Sequence, residues 1–206
     1  QTCVLPGVIS YSAVISACEK DQQWQQALGL LARMRQACIL PGAISYSAVI
    51  SACEKDQQWQ QALGLPELMQ QTRVLLGVIS YSAVISACEK GQRWQQALGL
   101  LALIQRTAIL PNVISLSAAI SACEKVQQWQ QALGLMALMQ QTCVLPGVIS
   151  YSAVIRACKK DQQWQQALGL LAVMRQTCIL PGAISYSAVI RACEKDQHWQ
   201  QALGLL

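Results

Sequence analysis

Tryptophan recurs at positions 24, 59, 94, 129, 164 and 199, always 35 residues apart, and the segment Val8–Lys20 returns unchanged at 78–90. A fixed period of this length marks an architecture of stacked repeats, and it outranks any element-by-element reading because each repeat is one supersecondary unit. Counted from Val8, full units run 8–42, 43–77, 78–112, 113–147 and 148–182, followed by a partial unit at 183–206. Residues 1–7 match the end of a unit, so one repeat domain spans 1–206 and both its ends fall inside repeats. The apolar stripes at those ends call for further repeats, or for partners, to cover them.

Each unit reads as two helices. Tyr11, Val14, Ile15 and Cys18 fall at i, i+3, i+4 and i+7 on one stripe, with Ser10 placed to cap the start. Ala13 and Ala17 form a small-residue strip beside it, where a neighbouring helix can come close, while Ser12, Ser16, Glu19 and Lys20 face away. In the second helix Trp24, Ala27, Leu28 and Leu31 repeat the spacing, Asp21 is the expected N-cap, and Cys38-Ile39-Leu40-Pro41-Gly42 ends the unit. The Trp series is read as core. One hairpin cannot bury both stripes, but a stack shares a continuous core, which predicts an all-α solenoid. Glycine inside the second helix, at 29, 64, 99, 134, 169 and 204, predicts close helix packing, and Pro66 predicts a kink.

Charged residues are only 12% of the chain and hydrophobic residues 53%, which excludes a disordered chain. The mean hydropathy is +0.31, yet no apolar run approaches the roughly 20 residues of a membrane-spanning helix, so no transmembrane segment is expected. The net charge of +5 permits an anionic partner without the strong basic bias of an electrostatically driven nucleic-acid binder. Ten cysteines without a C-x-x-C pair point to a reducing compartment. Cys18, Cys53, Cys88, Cys123, Cys158 and Cys193 fall on the core stripe. Cys3, Cys38, Cys143 and Cys178 recur in the loop, too far apart from repeat to repeat for a disulfide ladder.

A 35-residue hairpin with Tyr-Ser near its start, Cys-Glu-Lys closing the first helix, Ala-Leu in the second and Pro just before its end resembles the pentatricopeptide repeat family. It differs from the tetratricopeptide pattern, whose period is 34 and whose Trp stands closer to Leu-Gly. The resemblance implies a right-handed superhelix that binds single-stranded RNA in a chloroplast or mitochondrion, one base per repeat. By the family's pattern, the fifth residue of each unit reads the base; here it is Ser12, Ser47, Ser82, Ser117, Ser152 and Ser187. The last residue is the second reader, and it is Asn112 in one unit but Gly42, Gly77, Gly147 and Gly182 in the others, so only Ser82 with Asn112 matches a recognised pairing, one that favours adenine. The second residue, Ile9, Ile44, Ile79, Ile114, Ile149 and Ile184, matches the position that sandwiches bases. The end of the first helix, Lys20, Lys55, Lys90, Lys125, Lys160 and Lys195, matches a position that approaches phosphates. Arg156 and Arg191 replace Ser, and Lys159 replaces Glu, on the same face, so RNA is expected to prefer the C-terminal end.

Each feature has a plainer alternative. The Lys series can be a set of solvated helix ends partly cancelled by Glu19, Glu54, Glu89, Glu124 and Glu194, the serines small polar surface residues, and the isoleucines packing between units. Nearly identical repeats ask nearly the same question of every base, which favours low discrimination. Thirty glutamines, concentrated beside Trp, make an uncharged outer face that suits a protein neighbour, so the rival reading is a scaffold subunit of a larger organellar complex. No acid–base–nucleophile set, phosphate loop or zinc-ligand spacing recurs, and the single histidine is His198, so neither an enzyme nor a metal or other cofactor is expected.

Overall fold

The computed structural model describes residues 7–107, 109–159 and 163–194. The regular elements among them are all helical: α1 (Val8–Lys20), α2 (Trp24–Gln36), α3 (Ala43–Lys55), α4 (Trp59–Gln71), α5 (Val78–Lys90), α6 (Trp94–Arg106), α7 (Val113–Lys125), α8 (Trp129–Gln141), α9 (Val148–Cys158), α10 (Trp164–Gln176) and α11 (Ala183–Glu194). No helix among the described residues is long and apolar enough to cross a membrane. Two compact units divide the chain, residues 1–111 and 112–206. In the first, α1 packs on α2 and α3, and α3 on α4 and α5; in the second, α7 packs on α8 and α9, and α9 on α10 and α11. Each contact joins a helix to its own hairpin or to the next, as a stack of repeats requires.

The first helix of each repeat carries the core. Val49, Ile50, Ala52 and Cys53 in α3 and Val84, Ile85, Ala87 and Cys88 in α5 are completely buried, and each Val or Ile contributes roughly 1.5–3 kcal/mol on burial. The alanine strip behaves as its size predicts. Ala48, Ala52, Ala83 and Ala87, on helices with a preceding helix to meet, are buried, whereas Ala13 and Ala17 of α1 are exposed. In the second helices the buried set is Ala27, Leu31 and Met34, with its equivalents in later repeats. The described tryptophans are not core: Trp24, Trp59, Trp94, Trp129 and Trp164 are half-buried, because each is the first residue of its helix, beside the open turn, while Trp199 lies outside the described residues. Arg93 lies 4.3 Å above the Trp59 ring, and Gly91 leaves space for that indole where a Cβ would collide with it.

The helix ends differ from the sequence expectation. Helix α1 begins at Val8 with Gly7 as N-cap, which places Ser10 within the first turn. Asp21 closes α1 instead of opening α2, whose N-cap is Gln23. The reason is a hydrogen-bonded C-terminal motif: Gln23 N–H donates to the Cys18 carbonyl at 2.9 Å and Gln22 N–H to the Glu19 carbonyl at 3.3 Å. That pairing forces residue 22 into the left-handed region, φ 57°. The second helices end the same way at Cys38, Arg73, Cys143 and Cys178, again with positive φ. No glycine occupies these positions, where an L-residue costs about 1 kcal/mol.

Glycines 29, 64, 99, 134 and 169 do not mediate close packing, since an added Cβ would meet nothing within 4 Å at any of them. Nor does Pro66 divide its helix; α4 runs through it as one 13-residue element, with only the bond from residue 66 to the Ala62 carbonyl forgone. Gly99→Ala and Gly169→Ala are each expected to stabilise the chain by about 1 kcal/mol, and Pro66→Leu by about 1–3 kcal/mol. Rising urea midpoints at unchanged slope would show this. A fall on either glycine replacement would mean that the space beside the helix is needed.

The cysteines fall into two classes. Cys53, Cys88 and Cys123 are buried, and loss of solvent pushes their thiols up to about 11, with the Asp56 carboxylate adding to the effect at Cys53. Cys38, Cys143 and Cys178 are exposed free thiols. Alkylation at pH 8 is therefore expected to label Cys38, Cys143 and Cys178 and to spare Cys53, Cys88 and Cys123 until the chain unfolds. Because the unfolded thiols ionise first, near pH 8.5, the stability these three groups give is intact at neutral pH and is lost as pH rises toward 11. An alkaline unfolding titration reads this directly.

Candidate functional site

Within each unit, two columns of apolar side chains stand out from the fold. Ile9, Ile44, Ile79, Ile114, Ile149 and Ile184 are 60–85% exposed, so they do not pack between repeats. Leu40, Leu75, Leu110, Leu145 and Leu180, which precede the next repeat by three residues, are 74–90% exposed. Sequence reasoning read this Leu only as part of the segment that ends a unit; its regular return in an exposed loop was the available signal. In the first unit the columns meet in a groove of about 680 Å³ lined by Ser16, Glu19, Ile44, Ser47, Leu75 and Ile79, among others.

The fifth-position serines sit at the edge of this face with their hydroxyls already engaged. Ser12 Oγ donates to the Val8 carbonyl at 2.8 Å, Ser47 to Ala43 at 2.8 Å, Ser82 to Val78 at 2.7 Å, Ser152 to Val148 at 2.7 Å and Ser187 to Ala183 at 2.6 Å. Several also bond to a buried serine at the third position of the next repeat: Ser12 to Ser45 at 2.8 Å, Ser47 to Ser80 at 2.8 Å and Ser117 to Ser150 at 2.9 Å. A hydroxyl has one proton and two lone pairs. With the proton on a helix carbonyl and one lone pair facing the neighbouring serine, what Ser12 and Ser47 can offer a base is a single acceptor. Ser82 is also buried, at 5% exposure. The third-position serines escaped sequence analysis because the pairing spans 33 residues, not the 35 of the period.

Asn112 serves the fold as well. It is the N-cap of α7, its Oδ1 accepting the Ser115 N–H at 2.8 Å while its own N–H donates to Ser115 Oγ at 3.1 Å. Gly42, Gly77 and Gly147 cap α3, α5 and α9 through extended backbone alone.

The lysines link neighbours. Lys55 Nζ lies 3.1 Å from Glu19 Oε1 and donates to the Glu19 carbonyl at 3.2 Å; Lys90 makes the same two contacts to Glu54, both at 3.1 Å. Exposed pairs of this kind contribute about 0–1 kcal/mol, and they lower the positive potential the lysines present. Lys20, Lys125 and Arg191 are exposed, and Arg156 holds Glu124 at 3.0 Å. Lys160 and Lys195 lie outside the described residues. Among the described residues, no group of three or more His, Cys, Asp or Glu is placed to hold a metal ion.

Comparison with known proteins agrees with the repeat. The pentatricopeptide repeat domain profile matches residues 4–56, 99–161 and 135–196, and a PPR repeat profile matches 79–106. No curated protein matched by sequence. Among solved structures, the maize pentatricopeptide repeat protein PPR10 is 22% identical over 98% of this chain and 29% of its own, with a TM-score of 0.69. The PPR domain of Arabidopsis thaliana protein-only RNase P 1, solved with tRNA, is 13% identical over 92% of this chain and 96% of its own, with a TM-score of 0.76. The nuclear proteinaceous RNase P 2 of the same plant is 9% identical over 88% of this chain and 41% of its own, with a TM-score of 0.80. This chain spans less than a third of the maize protein. The helices and their stacking are those of a pentatricopeptide solenoid, and the chain belongs to the pentatricopeptide repeat family.

Proposed function

We propose that this chain binds single-stranded RNA along the face of its first helices, with low discrimination between bases, in the RNA metabolism of a chloroplast or mitochondrion. The observation that carries this reading is the isoleucine column. Six large apolar side chains stand 60–85% exposed at the same place in each repeat, although burying each would contribute roughly 1.5–3 kcal/mol. The fold does not use them, and the faces of unpaired bases are apolar surfaces delivered one per nucleotide.

Further support comes from relatives solved with RNA: the pentatricopeptide repeat protein PPR10 with an 18-nucleotide psaJ RNA element and the PPR domain of protein-only RNase P 1 with tRNA. Low discrimination follows from the serines. The same residue stands at each fifth position, a helix carbonyl holds its hydroxyl in Ser12, Ser47, Ser82, Ser152 and Ser187, and Asn112 is the one side chain among five complete second-reader positions. Lys20, Lys55, Lys90 and Lys125 supply the salt-dependent attraction to phosphates, in competition with Glu for Lys55 and Lys90.

An anisotropy titration against oligo-A, oligo-U, oligo-C and oligo-G RNA across a salt series tests the reading. Binding is expected for all four, within about tenfold of one another, with the affinity falling as salt rises. Ile44→Ala, Ile79→Ala and Ile149→Ala together should weaken it about tenfold through lost apolar cover without lowering the melting temperature, since these side chains are exposed. No binding to any of the four at low salt would overturn the RNA reading and favour a scaffold contacting proteins through its leucine and glutamine surfaces.

A further inference from the structure

The groove between consecutive first helices recurs with a different charge. Between α1 and α3 its lining includes Ser16, Glu19, Ile44, Ser47, Ala48 and Ser51. Four repeats later, between α9 and α11, the same six positions are Arg156, Lys159, Ile184, Ser187, Ala188 and Arg191, which line a cleft of about 210 Å³. Ile, Ser and Ala are retained, and the three positions that differ have all become cations. The set changes from −1, carried by Glu19, to +3.

The ion pair of Arg156 with Glu124 accounts for one of the three cations at most. Elsewhere Glu at the position of Lys159 takes the lysine of the next repeat, as Glu19 takes Lys55 and Glu54 takes Lys90. Among the described residues Lys159 and Arg191 have no acidic partner, and Arg156 engages Glu124 through Nη2 alone, leaving its other donors for a ligand. The serine bond across this interface is also missing. Ser152 Oγ donates to the Val148 and Ile149 carbonyls, and Ser185 Oγ, 1% exposed, has no hydrogen-bond partner. Like charges converging on one small cleft repel unless an anion joins them. Two planar guanidinium groups with an ammonium suit the several oxygens of a tetrahedral phosphate. Three cations match the near-double charge of a phosphomonoester better than the single charge of a phosphodiester.

We propose that the Arg156–Lys159–Arg191 cleft captures the terminal phosphomonoester of an RNA strand lying on the first-helix face. The site rests on the RNA-binding reading and adds an end preference to it. The same chemistry is carried by a 5′-phosphate and by a 3′-phosphate.

The test compares the full chain with the triple variant Arg156→Ser, Lys159→Glu and Arg191→Ser, which restores the side chains of positions 16, 19 and 51 and so uses residues the repeat already accommodates. One oligo-A RNA is used in three forms: 5′-phosphorylated, 3′-phosphorylated and hydroxyl at both ends. At fixed salt the parent chain should bind one phosphorylated form about tenfold more tightly than the dihydroxyl form, and which form it is identifies the strand end. The variant, still helical by circular dichroism, should bind all three within about twofold. Equal binding of the three forms by the parent, or a preference that survives in the variant, would overturn the site while leaving RNA binding standing. Failure of the dihydroxyl form to bind at low salt would overturn the RNA reading itself.

Discussion

Everything in this chain depends on the fact that a first helix can bury its apolar stripe only against neighbouring repeats: Val14 of α1, with no preceding first helix, is 49% exposed where Val49 is fully buried. Val49, Ile50 and Cys53 are completely enclosed, yet their own hairpin supplies just one of the surfaces that enclose them. The bonds that reinforce the stack obey the same rule. Ser12–Ser45 and Ser47–Ser80 join residues 33 apart, and Lys55–Glu19 and Lys90–Glu54 join residues 36 apart. Because each interface poses the same packing problem, one solution can be copied, and near-identity of the repeats is the consequence.

The copying has a functional cost. The polar groups nearest the candidate base-contacting face are also those that hold the repeats together. A serine whose single proton rests on its own helix carbonyl cannot donate to a base without giving up that bond. A lysine within 3.1 Å of a glutamate must exchange one anion for another when a phosphate arrives, so its net contribution is smaller than its charge implies. The isoleucines and leucines carry no such obligation. Apolar cover of bases is therefore the least compromised contribution this face can make, and it does not distinguish one base from another.

The period made the helices, their stacking and the buried Val, Ile and Cys stripe legible, because burial at i, i+3, i+4 and i+7 is a property of the helix alone. The helix ends were illegible for a specific reason: glycine, the usual mark of a left-handed C-terminal residue, is absent where the chain turns left-handed, and Gln22, Gln57, Cys38 and Arg73 stand there instead. Glycine appears in the middle of the second helix, where it opens no close contact. The tryptophans misled because periodicity reports which side of a helix a residue is on, and not that the first residue of a helix borders an open turn. At the candidate site the isoleucine column was legible as a position, but its exposure was not, and the leucine column lay in a loop where no helical period applies.

In an array this repetitive, the common residues report what the stack requires, so information about a particular ligand must reside in departures from it. A departure inside the core is limited by packing; Leu116, in place of the usual Tyr, is as completely buried as Tyr46. A departure at an exposed position is under no such limit. Arg156 and Arg191 are exposed and Lys159 half-exposed, and nothing in the packing of α9 on α11 requires a cation at any of them. Arg156 links α9 to Glu124 of α7, but three changes of the same sign that meet in one groove, where the earlier groove holds Ser, Glu and Ser, leave Lys159 and Arg191 without an acidic partner among the described residues and raise the electrostatic energy there. An anion lodged between them removes that penalty, which is why the phosphate is sought here and not along the glutamate-matched lysines.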